Sequence, residues 1–331
     1  MEIQFIACLP ITDHKLIKGV TVMYELFLFL LFIAIFLAGM SVLRIGLFNM
    51  SGEALKTFLL KVTDKPWKGF MAGTIFTGIL QSSSAVMVMT VGLVSAGSLT
   101  FPQTIGIILG TNIGSTFTAE FMTFSLDGWI IPGVISGAFL CFMPNVLSRS
   151  LGMTLIGISA IFAAMSGFKT LSTPIAAYPS IQTLINYIEG HMSYALLAGI
   201  LLTALIHSSS ATIGIAMSFL MNGELSVASA IIIMFGSNIG TCITGYMASI
   251  GSGRQAAFTA YAHIWLNVIG VAAFLPFVDI LERTAAFFTE NEGKQLAHAS
   301  VIFNILTSLA VLPFARQFSS FILCVHRPLK K

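Results

Sequence analysis

The sequence is short of charged residues. Only 9% of its 331 residues are Asp, Glu, Lys or Arg, whereas soluble domains usually carry about 25%. Hydrophobic residues make up 56% of the chain, so too few polar groups exist to cover a water-exposed surface. The same composition excludes a disordered chain. A lipid bilayer is therefore the solvent that suits this sequence.

Cysteine is scarce and scattered, and excess charge of either sign is small. The four cysteines do not form a CxxC pair, which argues against a disulfide framework and against a zinc site. No transition metal is expected. The four cysteines are Cys8, Cys141, Cys242 and Cys324.

The net charge of the chain is +3, which is too small to indicate nucleic-acid binding.

Long apolar runs predict an all-α polytopic membrane protein. A span needs about 20 mainly apolar residues, and the first such run covers about 24–43. The polar segment 44–68 carries five basic residues, which the positive-inside rule places in the cytoplasm. Further runs lie at about 69–147, 151–168, 193–221, 226–250, 256–280 and 296–315, separated by a break at 169–192 and a charged loop at 282–294.

No loop between these runs is long enough to form a soluble domain. Residues 1–331 are therefore interpreted as a single multi-pass transmembrane domain in the cytoplasmic (inner) cell membrane. The basic tail from Arg316 onward is also expected in the cytoplasm.

An internal repeat divides the chain. Residues 73–84 (GTIFTGILQSSS) align with 199–210 (GILLTALIHSSS), and 110–118 (GTNIGSTFT) align with 236–244 (GSNIGTCIT) at the same offset. Repeat 1 covers about 69–148 and repeat 2 about 193–280. Duplicated halves are typical of secondary transporters, which often pair repeats of inverted topology. A weaker echo relates 262–277 to 299–314, either as a further duplication or as two similar helices that end in proline.

Serine triplets lie in the middle of apolar runs in both repeats. Serine hydroxyls compete for backbone groups and favour helix caps over helix interiors. Each triplet is predicted to form the tip of a re-entrant hairpin, where it caps a half-helix that begins at Ala85 or Ala211. The free N–H groups there would form an anion site. The alternative is a continuous helix in which the serines bond back to the preceding turn. The triplets are Ser82, Ser83 and Ser84, and Ser208, Ser209 and Ser210.

The two G-x-NIG motifs predict a second pair of helix breaks. Glycines flank amide and hydroxyl groups, whose oxygens can bind a small hard cation. The alternative is a closely packed, glycine-rich helix crossing.

The repeats contain no fixed cation, since neither 69–148 nor 170–253 includes a Lys or Arg. An anionic substrate would then need helix ends, hydroxyls and bound metal cations, which would couple the two fluxes. Glu120 lies in an apolar run and is a candidate cation or proton ligand. The alternative interpretation is that Glu120 lies close to the membrane interface.

With these motifs, the sequence resembles the type II sodium-dependent phosphate cotransporter family in its compact bacterial form, over about 24–314. The resemblance implies a duplicated, inverted fold with two re-entrant hairpins, transport of inorganic phosphate coupled to sodium, no other cofactor, and often a homodimer. It places Gln81 and His207, which precede the two serine triplets, in the substrate site with those serines. The sodium sites it implies lie at Gln81, Thr111, Asn112, Ser115, Thr212, Ser237, Asn238 and Thr241.

Two departures from the family are visible. His207 stands where the family usually has Gln, and an imidazole can take up a proton where an amide cannot. His207 can also simply pack against the hairpin. Many bacterial relatives carry a soluble helical regulatory domain after the membrane part, and none is expected here.

Other functions remain open at this stage. Within the same class, the chain could carry another oxyanion or export phosphate. An ion channel is a third alternative. An intramembrane serine hydrolase would use Ser83 with His207 or His263 as its base. Non-enzymatic transport is the leading interpretation.

Overall fold

The apolar runs fold as helices in the computed structural model, which describes residues 14–62 and 65–326, with the side chains of 14–18 and 51–62 outside the description. No strand occurs within these ranges, which agrees with the predicted all-α class. The helices are α1 (His14–Val62), α2 (Pro66–Leu80), α3 (Ser83–Ser95), α4 (Phe101–Met122), α5 (Ile130–Cys141), α6 (Val146–Ala176), α7 (Pro179–Gly190), α8 (Met192–Ile206), α9 (Ser209–Met221), α10 (Val227–Ser249), α11 (Arg254–Phe274), α12 (Val278–Phe288), α13 (Glu292–Val311) and α14 (Ala315–Val325).

Five stretches of helix in the described ranges are long and apolar enough to cross a membrane, and up to seven if each bent pair is one span. One bent pair comprises α4 and residues 127–141, at 87°; the other comprises α7 and α8, at 119°. The main apolar core surrounds α9 and α10 and includes Met217, Leu220, Ile231 and Phe235.

The predicted polar loop at 44–68 is mostly helix. α1 continues to Val62, because residues 44–62 lack proline and include helix-forming Glu, Ala, Leu and Lys. Pro66 then begins α2, at a position that proline favours. The side chains of Lys56 and Lys61, and the whole of Cys8, lie outside the described residues.

The other predicted breaks also contain helix. α6 continues to Ala176 and α7 follows, so the break at 169–192 is short. The charged loop at 282–294 begins inside α12, and the tail after Arg316 lies in α14 as far as Val325. The sequence echo has a structural counterpart, since 275–277 and 312–314 (both LPF) each form a 3-10 turn between two helices.

Both serine triplets occupy a break between two short helices, as predicted. Gln81 and His207 end α2 and α8 in the left-handed conformation, with φ of 51° and 55°. Ser82 and Ser208 then act as N-caps and accept hydrogen bonds from the N–H groups of Ala85 (3.1 Å) and Ala211 (3.2 Å). α3 and α9 begin two residues earlier than predicted, at Ser83 and Ser209.

The predicted breaks at the G-x-NIG motifs are wrong. α4 and α10 run through both motifs without interruption. Their hydroxyls bond back to the preceding turn, as when Thr111 donates to the carbonyl of Ile108 and Thr241 to that of Ser237. The local polarity is therefore satisfied inside a regular helix.

The glycines of these motifs allow close helix crossings, which was the alternative interpretation. A Cβ at Gly110 on α4 would overlap the carbonyl oxygen of Phe70 on α2. The equivalent Cβ at Gly236 on α10 would overlap the carbonyl oxygen of Leu196 on α8. Each continuous helix thus lies directly against the first helix of its own hairpin and holds the serine tip in place.

Candidate functional site

The two serine triplets meet at one pocket, although they lie far apart in the sequence. About 340 Å³ of empty space, part of it open to the surroundings, separates the side chains that line it. All eight residues predicted to bind substrate lie there, together with three further residues. The lining consists of Gln81, Ser82, Ser83, Ser84, His207, Ser208, Ser209 and Ser210, with Arg44, Ser115 and Thr118.

The pocket receives the N-terminal ends of two helices. The first backbone N–H groups of any helix lack partners within the helix. Ser82 and Ser208 satisfy one such group each at α3 and α9, which leaves the N–H groups of Ser83 and Ser209 available near the pocket. Two positive dipole ends surrounded by hydroxyls form a suitable environment for an oxyanion.

Arg44 contributes a fixed positive charge that sequence reasoning missed. It lies on α1, half-buried, and its Nε donates to the carbonyl oxygen of Gln81 at 3.4 Å. The guanidinium therefore reaches the tip of the first hairpin from outside both repeats. Hydroxyls, helix ends and bound cations are therefore not the only sources of positive charge in the pocket, contrary to the expectation from the two repeats. An arginine followed directly by the apolar residues 45–48 was the available signal.

Gln81 and His207 occupy equivalent places but differ in their bonding. The Gln81 amide donates to the carbonyl of Gly78 and accepts a 2.8 Å hydrogen bond from Thr118. His207 is exposed, and within the described ranges its side chain has no hydrogen-bond partner. One half of the pocket thus has a fixed amide, and the other has an imidazole free to contact a ligand.

The residues predicted to bind sodium divide into two groups. Gln81 and Ser115 line the pocket, and the Ser115 hydroxyl donates to the carbonyl of Asn112 at 2.7 Å. The others do not line the pocket, although the Thr212 hydroxyl lies 3.3 Å from the carbonyl oxygen of Ser208, which does. These are Thr111, Asn112, Thr212, Ser237, Asn238 and Thr241.

Asn112 belongs to a buried polar chain. Its amide donates to the Asn267 side-chain oxygen at 3.0 Å, and the Asn267 amide approaches the Cys242 sulfur at 3.2 Å. Asn238, the equivalent residue in repeat 2, instead places its amide 3.4 Å from the Met234 sulfur. No three His, Cys, Asp or Glu side chains come together as metal ligands in the part of the chain that is described.

Glu120 lies outside the serine pocket and pairs with a histidine. Its Oε1 is 2.7 Å from His298 Nδ1 on α13. Both side chains are about one-third exposed, at 30% and 31%. Sequence reasoning had no means of finding His298, because the pair joins residues 178 positions apart.

The geometry gives no support to the hydrolase alternative. Ser83 and His207 line the same pocket, but the described residues show no hydrogen bond between them. His263 is buried against Gly245, away from the triplets. A serine nucleophile needs a base within hydrogen-bond reach.

Comparisons with known proteins identify the family of the chain. A family model described as Na+/Pi-cotransporter matches residues 35–170 and 172–312. The "Uncharacterized protein YqeW" of Bacillus subtilis is 42% identical over 286 residues, which are 86% of this chain and 93% of that protein. No solved structure matches the chain.

Several relatives have names that mention phosphate, and two of them show the range of similarity. The "Putative inorganic phosphate export protein YjbB" of Escherichia coli K12 is 24% identical over 87% of this chain and 53% of its own length, so this chain spans about half of that protein. The mouse "Sodium-dependent phosphate transport protein 2A" is 38% identical over 122 residues, 35% of this chain and 18% of that protein.

Proposed function

Since the chain belongs to the Na+/Pi-cotransporter family, we propose that it is a sodium-coupled secondary transporter of inorganic phosphate in the cytoplasmic membrane. The observation that carries the proposal is the single pocket in which both serine triplets meet Arg44. Hydroxyl donors, two helix N-termini and a guanidinium are the groups that bind a tetrahedral oxyanion. No enzymatic step is needed for this function.

Sodium coupling follows from the charge of the pocket. Phosphate near neutral pH carries one to two negative charges, and Arg44 supplies one fixed positive charge. A bound cation would provide the rest, so that phosphate and sodium favour each other's binding by the same factor. Ser115 and Gln81 are placed to offer oxygens to such a cation at the edge of the pocket. The remaining predicted ligands would need a second site within the helices.

Export is a second candidate direction, favoured by the name of the Escherichia coli relative. The same site would serve, because a carrier moves its substrate in whichever direction the gradients allow. Transport of another oxyanion would also use the same groups.

Inverted repeats fit the internal equivalences. The turns after the two hairpins have matching glycines, Gly97 with φ of 72° and Gly223 with φ of 75°. Matching hydrogen bonds follow, from the N–H of Ser98 to the carbonyl of Leu93 and from that of Glu224 to Phe219, each 2.9 Å. Two equivalent hairpins whose tips meet at one pocket would suit alternating access between two membrane faces, as in transporters built from inverted repeats.

The serine triplets provide the test of the site. Ser83→Ala and Ser209→Ala each remove a hydroxyl from the pocket, and a lost hydrogen bond to a charged ligand costs about 1.5–3 kcal/mol. Phosphate affinity should fall by about ten- to a hundredfold in each variant. The measurement is isothermal titration of the detergent-solubilised protein with phosphate in sodium buffer.

Ser98→Ala is the matched control, because Ser98 is exposed in the turn after α3. Its affinity should equal that of the parent. Equal losses in all three variants would contradict a localised site, and stronger binding of sulfate than of phosphate would favour another oxyanion as substrate.

A further inference from the structure

Glu120 and His298 form a titratable pair within the membrane-crossing part of the fold. Glu120 lies in the last turns of α4 and His298 in α13, and the Phe288 ring of α12 stands edge-on to the imidazole. A carboxylate at such a place is costly unless it is paired. The 2.7 Å distance between Glu120 Oε1 and His298 Nδ1 is that of a charge-assisted hydrogen bond.

Two protonation states of the pair differ in net charge. With a neutral imidazole, Nδ1 donates to the carboxylate and the pair carries one negative charge. A second proton, at Nε2 or on the carboxyl group, makes the pair neutral overall. The neutral state avoids the cost of an uncompensated charge at a place where about two-thirds of each side chain is buried.

The pair is connected to the serine pocket through α4 and through a shared cavity. Thr118, two residues before Glu120, donates to Gln81, and Ser115 on the same helix lines the pocket. Glu120 and Gln81 also line a second cavity of about 900 Å³, partly open to its surroundings. A charge change at Glu120 therefore occurs close to the groups that contact the substrate.

Other charged groups on the surrounding elements do not pair with these two residues. Within the described ranges, none forms an ion pair with Glu120 or His298. His207 in the pocket is the other histidine to consider. The charged residues with described side chains are Glu25 and Arg44 on α1, Asp127 after α4, Arg149 and Lys169 on α6, Asp279, Glu282 and Arg283 on α12, and Glu292 and Lys294 on α13.

We propose that Glu120 and His298 form a proton-binding site coupled to the transport cycle. The coupling rests on the proposed phosphate transport; the proton site itself does not. A protonated pair removes one negative charge near the pocket and so favours the bound anion. By reciprocity, phosphate binding draws a proton onto the pair.

The coupling is tested by calorimetry in buffers of different ionisation enthalpy, which counts the protons taken up per phosphate bound. All proteins carry His207→Gln, which removes the histidine in the pocket. Glu120→Gln and His298→Gln should still bind phosphate but take up about one proton fewer than this parent. The double variant should show the same loss as each single variant, because the pair acts as a unit. Asp127→Asn, an exposed carboxyl beyond the end of α4, should leave the count unchanged.

Equal proton counts in Glu120→Gln, His298→Gln and their parent would overturn the coupling. Potentiometric titration without phosphate between about pH 5.5 and 8 tests the proton site alone. An unpaired carboxyl stays ionised over this range, so Asp127→Asn should leave the curve unchanged, whereas Glu120→Gln should shift proton uptake to lower pH because the imidazole loses its carboxylate partner. A Glu120→Gln curve that overlays the parent's would overturn the site. If the wild-type protein, with His207 in place, binds no phosphate in any buffer, the proposed function and the coupling fail together, and the titration still decides whether the pair binds a proton.

Discussion

Arg44 has the largest effect of any single residue on the charge of the pocket. It lies on α1, outside both repeats, and its Nε contact with the Gln81 carbonyl holds the guanidinium at the tip of the first hairpin. A planar guanidinium can donate two parallel hydrogen bonds to an oxyanion, whereas a lysine ammonium acts as a point charge. Arg44 is thus expected to orient phosphate as well as attract it.

Replacement of Arg44 should weaken phosphate binding and increase the dependence on sodium. We expect Arg44→Gln to lose about ten- to a hundredfold in affinity, as for a lost charged hydrogen bond. Arg44→Lys should retain part of the affinity because it keeps the charge. Isothermal titration at several sodium concentrations measures both effects.

Arg149→Gln is the control for this experiment, since Arg149 is exposed and donates to the Met143 carbonyl instead of lining the pocket. Its affinity should match the parent's. An Arg44→Gln protein that binds phosphate as the parent does would show that the guanidinium only caps α2.

At the scale of helices, the breaks at the serine triplets could be predicted from the sequence and the course of α4 and α10 could not. Two serine triplets at equivalent repeat positions are strong evidence for helix caps, because a capping hydroxyl bonds to a backbone N–H only three residues further along the chain. The G-x-NIG motifs have two meanings, a break or a close crossing. The group packed against each motif glycine decides between them. That group is the carbonyl of Phe70 or Leu196, which is remote in sequence.

The same limit explains the two residues that sequence reasoning missed. Arg44 appeared to belong to a polar loop, because the charge pattern shows where apolar runs end but not how far a helix continues. His298 meets Glu120 only through the packing of α13 on α4. The duplication, by contrast, needs no partner to be recognised, and both halves of the pocket followed from it.

The glycine crossings provide a prediction about stability. Gly110→Ala and Gly236→Ala should each force a carbonyl oxygen away from the new methyl group, and overpacking of this kind typically costs about 1–3 kcal/mol. The melting temperature in detergent should fall in both variants. It is measured by size-exclusion chromatography of samples heated to increasing temperatures.

Gly92→Ala on α3 is the matched control. A Cβ there meets no atom within 4 Å, and alanine favours a helix interior over glycine by about 1 kcal/mol. The melting temperature of this variant should stay level or rise. Parent-like melting of Gly110→Ala would show that α2 and α4 are not in close contact.

For the whole molecule, inverted topology predicts that equivalent turns face opposite sides of the membrane. Ser98 and Glu224 occupy those turns, and single cysteines there should react with an impermeant thiol reagent from opposite faces. The background needs serine at Cys8, Cys141 and Cys324, while Cys242 is buried and can stay. Labelling of both positions from the same face would mean a parallel duplication.

The most direct test of the account is uptake of labelled phosphate into proteoliposomes under an inward sodium gradient. We predict that the parent protein accumulates phosphate when sodium is present outside and loses this accumulation when choline replaces sodium, because the pocket needs a cation beside Arg44 to hold the anion. The Ser83→Ala/Ser209→Ala double variant should not accumulate phosphate in either condition. Equal accumulation with sodium and with choline would contradict sodium coupling, and parent-like accumulation by the double variant would contradict the serine pocket as the phosphate site.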